Sequence, residues 1–272
     1  MTAVGRERMK GLLSRRSRKS SFSQNHQRSW LWGRHAVSEA LKAQQWPILE
    51  CVISDSVEPS LQQALTTQCQ QQQVPYRLET DQRLQELTKA PDHQGLIARM
   101  GPYPYRDLDA LLSALPQQIL LLDRIQDAFN YGSLIRCAVQ LGFRAILVGE
   151  KSQSPVSPHV ARASAGAIHY AEIYQHSSLP AAVESLQQKQ YSLIGTRMEN
   201  ATDLTAMAFP QQTILAIGSE AHGLAEELTA LCDHLIRIPT TQCVDSLNAA
   251  VAGGIVMYEY SRQHPPMVPK TT

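Results

Sequence analysis

The stretch Ile119-Leu120-Leu121-Leu122-Asp123-Arg124-Ile125-Gln126-Asp127-Ala128-Phe129-Asn130-Tyr131-Gly132-Ser133-Leu134-Ile135-Arg136-Cys137-Ala138-Val139-Gln140-Leu141 changes its periodicity half-way. Four apolar residues in succession, ending at an acid, read as a strand buried on both faces. Beyond the polar loop, Leu134, Cys137, Ala138 and Leu141 fall at i, i+3, i+4 and i+7, so one face of a helix is apolar and Arg136 stands off it. Strand, loop and helix therefore follow one another, with the polar residues gathered between them. Downstream the rhythm repeats in strand candidates at Ala145 to Val148, Ala171 to Tyr174, Tyr191 to Gly195, Thr213 to Ile217 and Leu235 to Ile238. Short apolar runs alternating with helical stretches predict an α/β fold with a parallel sheet. In the last helix, Leu247, Val251, Gly254, Ile255 and Tyr258 form the expected apolar stripe. Small residues from Ala249 to Gly254 suit close packing of a helix or a partner subunit, or accommodate the neighbouring sheet.

Upstream, a second and smaller α/β pattern runs from Trp30 to about Met100. A helix around Ala36 to Ala43, a strand at Ile48 to Ile53, a polar helix ending in Gln70 to Gln73, a strand at Val74 to Leu78, a helix at Asp81 to Lys89 and a strand at Leu96 to Ala98 are expected. Gly101-Pro102-Tyr103-Pro104-Tyr105 disfavours regular structure and marks a linker. The divisions are a basic arm (1–29), a small domain (30–99), a linker (100–115), a large domain (116–264) and a tail (265–272). A chain of 272 residues has room for two such domains.

The net charge of +1 is unevenly placed: residues 1–28 hold eight Lys or Arg and one Glu, a net of +7, leaving −6 for the rest. Such an arm attracts polyanions by releasing counterions. It also reads as a solvated tail, and a third reading is a transit peptide, the segment being Arg-rich, Ser-rich and acid-poor. A salt series of polyanion affinities on full-length and truncated chains separates these readings. No apolar run is long enough to span a bilayer and no secretory leader is evident, so a soluble, cytoplasmic protein without a membrane is expected. The five cysteines lack CxxC or histidine partners, which argues for reduced thiols and no metal.

Three polar segments each follow an apolar strand: Asp123 to Arg136, Gly218-Ser219-Glu220-Ala221-His222-Gly223, and Ile238-Pro239 through Ser246-Leu247-Asn248. In open α/β sheets ligands lie beyond the carboxyl ends of strands, so three such loops can converge on one site. Each also has a plainer reading: Asn130 as a helix cap, Gly132, Gly218 and Gly223 as turn glycines, Ser246 as a cap of the last helix, Glu220 and Arg136 as surface charges. No Gly-x-Gly-x-x-Gly follows the first strand and no Gly-x-x-x-x-Gly-Lys-Ser/Thr is present.

Taken in order, the segments resemble the three motifs of the SpoU family of RNA ribose methyltransferases, within the SPOUT class. Asn130, Gly132 and Arg136 match the first motif, Gly218, Glu220 and Gly223 the second, and Ile238, Pro239, Ser246, Leu247 and Asn248 the third. Ala163-Ser164-Ala165-Gly166-Ala167 is also similar to the family. Gly33-Arg34-His35-Ala36-Val37 and His93-Gln94-Gly95 resemble its L30e-like substrate-binding domain, although His35 and His93 read as well as capping or core histidines. The chain departs from the pattern at Ala128, where proline is common, and at Ala221, where glycine is.

The resemblance implies a parallel sheet with a deep trefoil knot, a homodimer, and methyl transfer from S-adenosylmethionine to a ribose 2′-hydroxyl in structured RNA. It assigns Gly218, Ile238 and Leu247 to the cofactor. It makes Arg136 catalytic, with Glu220 and Asn248 orienting its guanidinium, Asn130 anchoring the loop or the ribose, and Ser246 positioning the third loop. A guanidinium stays protonated, so Arg136 is expected to grip phosphate and hydroxyl rather than to abstract the proton unaided. Large-subunit ribosomal RNA is the expected substrate. Transfer RNA, or a non-catalytic RNA-binding role in ribosome assembly, are the alternatives.

Overall fold

The computed structural model describes residues 29–241 and 246–265. Its smaller unit contains β1 (Trp30–Trp32), α1 (Arg34–Ala43), β2 (Ile48–Ser54), α2 (Pro59–Gln71), β3 (Tyr76–Glu79), α3 (Asp81–Thr88) and β4 (Leu96–Met100). The strands form one sheet in the order β1-β4-β2-β3, with β4 antiparallel to both neighbours and β3 parallel to β2. The apolar run expected as a strand becomes β2, and its last four residues are fully buried. Nothing in the periodicity announces β1, because three residues are too few to show an alternation. His93 is buried, and its Nδ1 accepts from the Gly95 amide at 3.1 Å, so it is a local core histidine, whereas His35 is exposed.

The larger unit contains α4 (Leu108–Ala114), β5 (Gln118–Leu122), α5 (Ala128–Gln140), β6 (Ala145–Gly149), α6 (Pro158–Ala163), β7 (Glu172–His176), α7 (Leu179–Gln187), β8 (Ser192–Thr196), β9 (Thr202–Asp203), β10 (Thr213–Ile217), α8 (Glu226–Ala230), β11 (His234–Arg237) and α9 (Ala249–Gln263). All six strands expected here are present, their ends moved by no more than two residues. Every pairing in the sheet, ordered β7-β6-β5-β10-β8-β11-β9, is parallel. From β5 the chain runs outward through β6 to β7, then crosses to β8 on the far side of β10. That reversal opens a crevice at the carboxyl ends of β5 and β10. One face of the sheet buries Leu120, Leu122, Leu215 and Ile217 among residues of α5 and α9, and the other buries Ile119, Leu121, Ile214 and Ala216 under α4, α7 and α8.

Residues 100–115, expected as a linker, are held in place. The second half is α4, and in the first half the Tyr103 ring meets Trp46 at 5.3 Å and Tyr105 at 5.1 Å. The Tyr105 hydroxyl also accepts from the Val156 amide at 2.7 Å. Close by, His169 sits buried 6.4 Å from the Trp46 ring with neither ring nitrogen hydrogen-bonded among the described residues, and burial lowers its pKa to about 4. A neutral imidazole is thus built into the junction of the two units.

The last helix has the expected period but a different phase. Its buried residues are Ala249, Ala250, Gly253, Val256, Met257, Tyr260 and Ser261, while Val251, Ile255 and Tyr258 of the expected stripe are exposed. The small side turns inward because α5 is so close: a Cβ on Gly253 would stand 2.4 Å from Leu134 Cδ2. Gly132, within α5 rather than in a turn, has the same function towards α6, where a Cβ would lie 2.4 Å from the Ala163 Cβ and 2.8 Å from Ser164 N and Val160 O. Among the described residues no helix is long and apolar enough to cross a membrane. Residues 242–245, Cys243 among them, lie outside the described residues, as do the basic arm up to Arg28 and the tail from Pro266.

Since two of the atoms facing Gly132 are backbone, they have little room to give. Gly132→Ala should therefore lower stability by about 1–3 kcal/mol, the usual range for overpacking. Urea unfolding measures this, and an unchanged midpoint would mean that α5 and α6 part freely.

Candidate active site

At the carboxyl end of β5 the chain places a buried acid. The Asp123 amide donates to the Ile217 carbonyl at 2.9 Å, and Asp123 Oδ2 accepts from the Ala225 amide at 2.8 Å. Its two carboxylate oxygens each accept from Arg124 Nε at 3.2 Å, and Arg124 Nη2 reaches the Gly223 carbonyl at 3.2 Å. A carboxylate removed from water needs such partners, and here they tie the loop after β10 to the end of β5. Sequence reasoning missed both residues as site-builders. The available signal was an acid directly after a buried strand, followed by a base.

The loop so held closes on itself. Ser219 and Gly223 exchange backbone hydrogen bonds of 3.1 and 2.8 Å, and Gly223 has a φ of 61°. A Cβ on Gly218 would lie 2.1 Å from the Gly223 carbonyl carbon. Gly218 is therefore required by the loop's own packing, besides the cofactor role that the resemblance assigns to it.

The folded loop presents Glu220 to two helices. Its Oε1 accepts from Asn130 Nδ2 at 2.7 Å, Asn248 Nδ2 at 2.5 Å and the Ala249 amide at 3.3 Å. Asn248 Nδ2 also donates to Asn130 Oδ1 at 3.0 Å. Asn130 is not the cap of α5: Asp127 is, accepting from the Asn130 amide at 2.8 Å. That aspartate cap starts the helix without the proline expected at Ala128. Likewise the cap of α9 is Asn248 rather than Ser246, its Oδ1 accepting from the Ala250 and Val251 amides at 2.9 and 3.3 Å.

Arg136 stands apart from this cluster. It is exposed on α5 and makes no hydrogen bond or ion pair among the described residues. Within one chain neither Glu220 nor Asn248 hydrogen-bonds to it, so the expected orienting contact is not made there. Six residues separate it from Asn130, about one and two-thirds helical turns, which points the two side chains to different sides of α5.

Two cavities flank residues 219–222. The smaller, about 450 Å³, is bounded by Arg124, Asn130, Ser152, Glu220 and His222. The larger, about 860 Å³, is bounded by Gly218, Ile238, Ser246 and Leu247, with Thr196, Leu224 and Ile236. All three residues expected at the cofactor thus border one space, together with Ser246. Its apolar walls suit a flat heteroaromatic ring and its rim hydroxyls suit polar substituents, at a volume usual for ligand sites. Arg136 borders neither cavity. No cluster able to hold a metal occurs among the described residues.

Comparison with known proteins places this arrangement. Residues 117–258 match the SpoU rRNA Methylase family, and residues 30–106 match the RNA 2′-O ribose methyltransferase substrate binding family. A Staphylococcus aureus protein named as a TrmH family tRNA/rRNA methyltransferase is 30% identical over 236 residues, covering 85% of this chain and 94% of its own. The SpoU methyltransferase AviRb from Streptomyces viridochromogenes, solved with S-adenosylmethionine, is 25% identical with a TM-score of 0.73, covering 86% and 90%. A structure concerned with 2-OH methylation of C/U34 on tRNA is 27% identical with a TM-score of 0.50, and covers 54% of this chain but 95% of its own.

The amide of Asn248 serves both a helix end and Glu220. Asn248→Ala should therefore destabilise the fold by about 1 kcal/mol, the usual loss for a capping side chain. Chemical denaturation would show it, and wild-type stability would mean that the cap is unimportant to α9.

Proposed function

The chain belongs to the SpoU rRNA methylase family, and we propose that it methylates ribose 2′-hydroxyls of large-subunit ribosomal RNA, as a cytoplasmic homodimer. That it is an RNA methyltransferase using S-adenosylmethionine follows from the family; the substrate, the assembly and the residue roles are our reading. The observation carrying the choice of ribosomal RNA is length. The tRNA-directed structure aligns along nearly all of its chain yet reaches only 54% of this one, so it has little left to match a separate unit at residues 30–106.

When bound, S-adenosylmethionine supplies a methyl group activated on a sulfonium. Gly218, Ile238 and Leu247 would hold it, since they line the larger cavity. Glu220 faces both cavities and among the described residues uses only Oε1, leaving Oε2 to accept a hydrogen bond from the ribose 2′-hydroxyl. Asn130 and Asn248 keep that carboxylate in place, and Ser246 borders the larger cavity at the start of α9. Arg136 is permanently cationic, so it serves an RNA phosphate and the 2′-hydroxyl together, not as an unaided base.

An arginine that borders no cavity of its own chain fits an assembled site. Val251, Ile255 and Tyr258 expose an apolar stripe on α9, whose other side packs on the Arg136 helix. A second copy covering that stripe would bring each Arg136 towards its partner's cavities, which a symmetric dimer does twice.

Mapping ribose methylation in cells with and without the gene tests the substrate: one lost position in large-subunit RNA is expected, and loss confined to tRNA would overturn it. Mixing inactive subunits tests the assembly. Arg136→Ala should lose transfer but keep cofactor affinity, and Leu247→Asp should lose cofactor binding. Random exchange of the two should restore about a quarter of wild-type activity, because half the dimers are mixed and each holds one intact site of two. A mixture that stays inactive while exchanging subunits would place arginine and cofactor in one chain.

A further inference from the structure

Arg162, near the end of α6, reaches out of the larger unit onto the smaller one. Its guanidinium carbon lies 4.5 Å from the centre of the Trp32 ring, Nη1 donates to the Trp32 carbonyl at 3.2 Å, and Nη2 donates to Asp92 Oδ2 at 2.6 Å. The other Asp92 oxygen accepts from Trp32 Nε1 at 3.0 Å, so the three residues close a ring. His159, one turn earlier on α6, meets the edge of Trp32 at 5.2 Å. Gly33 passes beneath with a φ of 96°, and a Cβ there would stand 3.4 Å from Nη1. Only a planar cation can stack on an indole, donate to a carbonyl and pair with a carboxylate at once.

The same short helix is wedged against the active site. Ala163, next to Arg162, faces Gly132 of α5, and Gly132 is two residues from Asn130, whose amide holds Glu220. One six-residue helix therefore touches both the substrate-binding unit and the helix that carries the site.

We propose that Arg162 is a positioning residue that fixes the substrate-binding unit relative to the methyl-transfer site, so that bound RNA presents one ribose and not its neighbours. This rests on the proposed function, with residues 30–106, which match the RNA 2′-O ribose methyltransferase substrate binding family, taken to hold the RNA. The units also touch where the Tyr170 hydroxyl donates to Glu39 Oε2 at 2.7 Å, so losing Arg162 loosens the pair without separating it.

The test uses the full chain and its mapped RNA substrate. Arg162→Ala should raise the KM for RNA about tenfold, leave kcat within about twofold, and add methylation at riboses beside the target. Its cofactor affinity should not change. Arg162→Lys, which keeps the charge and loses the fork, should recover only part of the defect. Asp92→Asn should reproduce a milder form from the opposite unit without touching α6, which guards against misfolding of the first variant. Wild-type KM with a single methylated position in Arg162→Ala would overturn the proposal. So would a fall in kcat with KM and position unchanged, because that would report a local disturbance of α5. An inactive wild-type chain would instead overturn the underlying reading, a failure distinct from an active wild type matched by its variant.

Discussion

One oxygen atom holds the site together. Glu220 Oε1 takes hydrogen bonds from Asn130 on α5, from Asn248 at the start of α9 and from the Ala249 amide. Bonds to a charged acceptor are stronger than neutral ones, and the amino end of α9 favours an anion beside it. Two helices far apart in sequence are thereby referred to one point on the loop after β10. Removing the carboxylate would leave two amides competing for water and a helix end short of an acceptor. The neighbouring Asp123 supports the arrangement from beneath by fixing the base of the loop to β5.

Around that point, glycines set distances rather than turns. Gly132 admits α6, Gly253 admits Leu134 of α5, and Gly218 admits the backbone of Gly223. Each removes a side chain where two elements meet more closely than a Cβ allows, because interiors are packed to near-crystalline density. Of the site glycines Gly132, Gly218, Gly223 and Gly253, Gly223 alone has a positive φ and serves conformation. The motifs thus mix residues that do chemistry with residues that let the backbone close up.

The junction between units follows the opposite logic, relying on large aromatic and charged groups. Trp46, Tyr103 and the buried neutral His169 fill its interior, and Trp32, Asp92 and Arg162 close its edge. An ion pair as exposed as Asp92 with Arg162 contributes little on its own. Stacking on Trp32 and the bond to its carbonyl turn it into a directional contact, since all three can be met in only one relative orientation of the units.

Resemblance to a family pointed to Gly218, Ile238 and Leu247 at the larger cavity, whereas the sequence by itself determined the α/β alternation, the six strands of the larger sheet and the three polar loops. These are local properties: a strand buried on both faces must be apolar throughout, and a helix repeats every 3.6 residues wherever it lies. The phase of α9 was decided only in three dimensions, because α5 approaches its first turns so closely that only a glycine fits at Gly253. The same holds for the partners of Glu220. Spacing cannot tell whether a carboxylate meets an arginine or two asparagines from helices 118 residues apart. Arg162 carried no sequence signal for the same reason, since its meaning depends on Trp32 and Asp92, 130 and 70 residues away, and long-range contacts are set by how the sheets and helices pack.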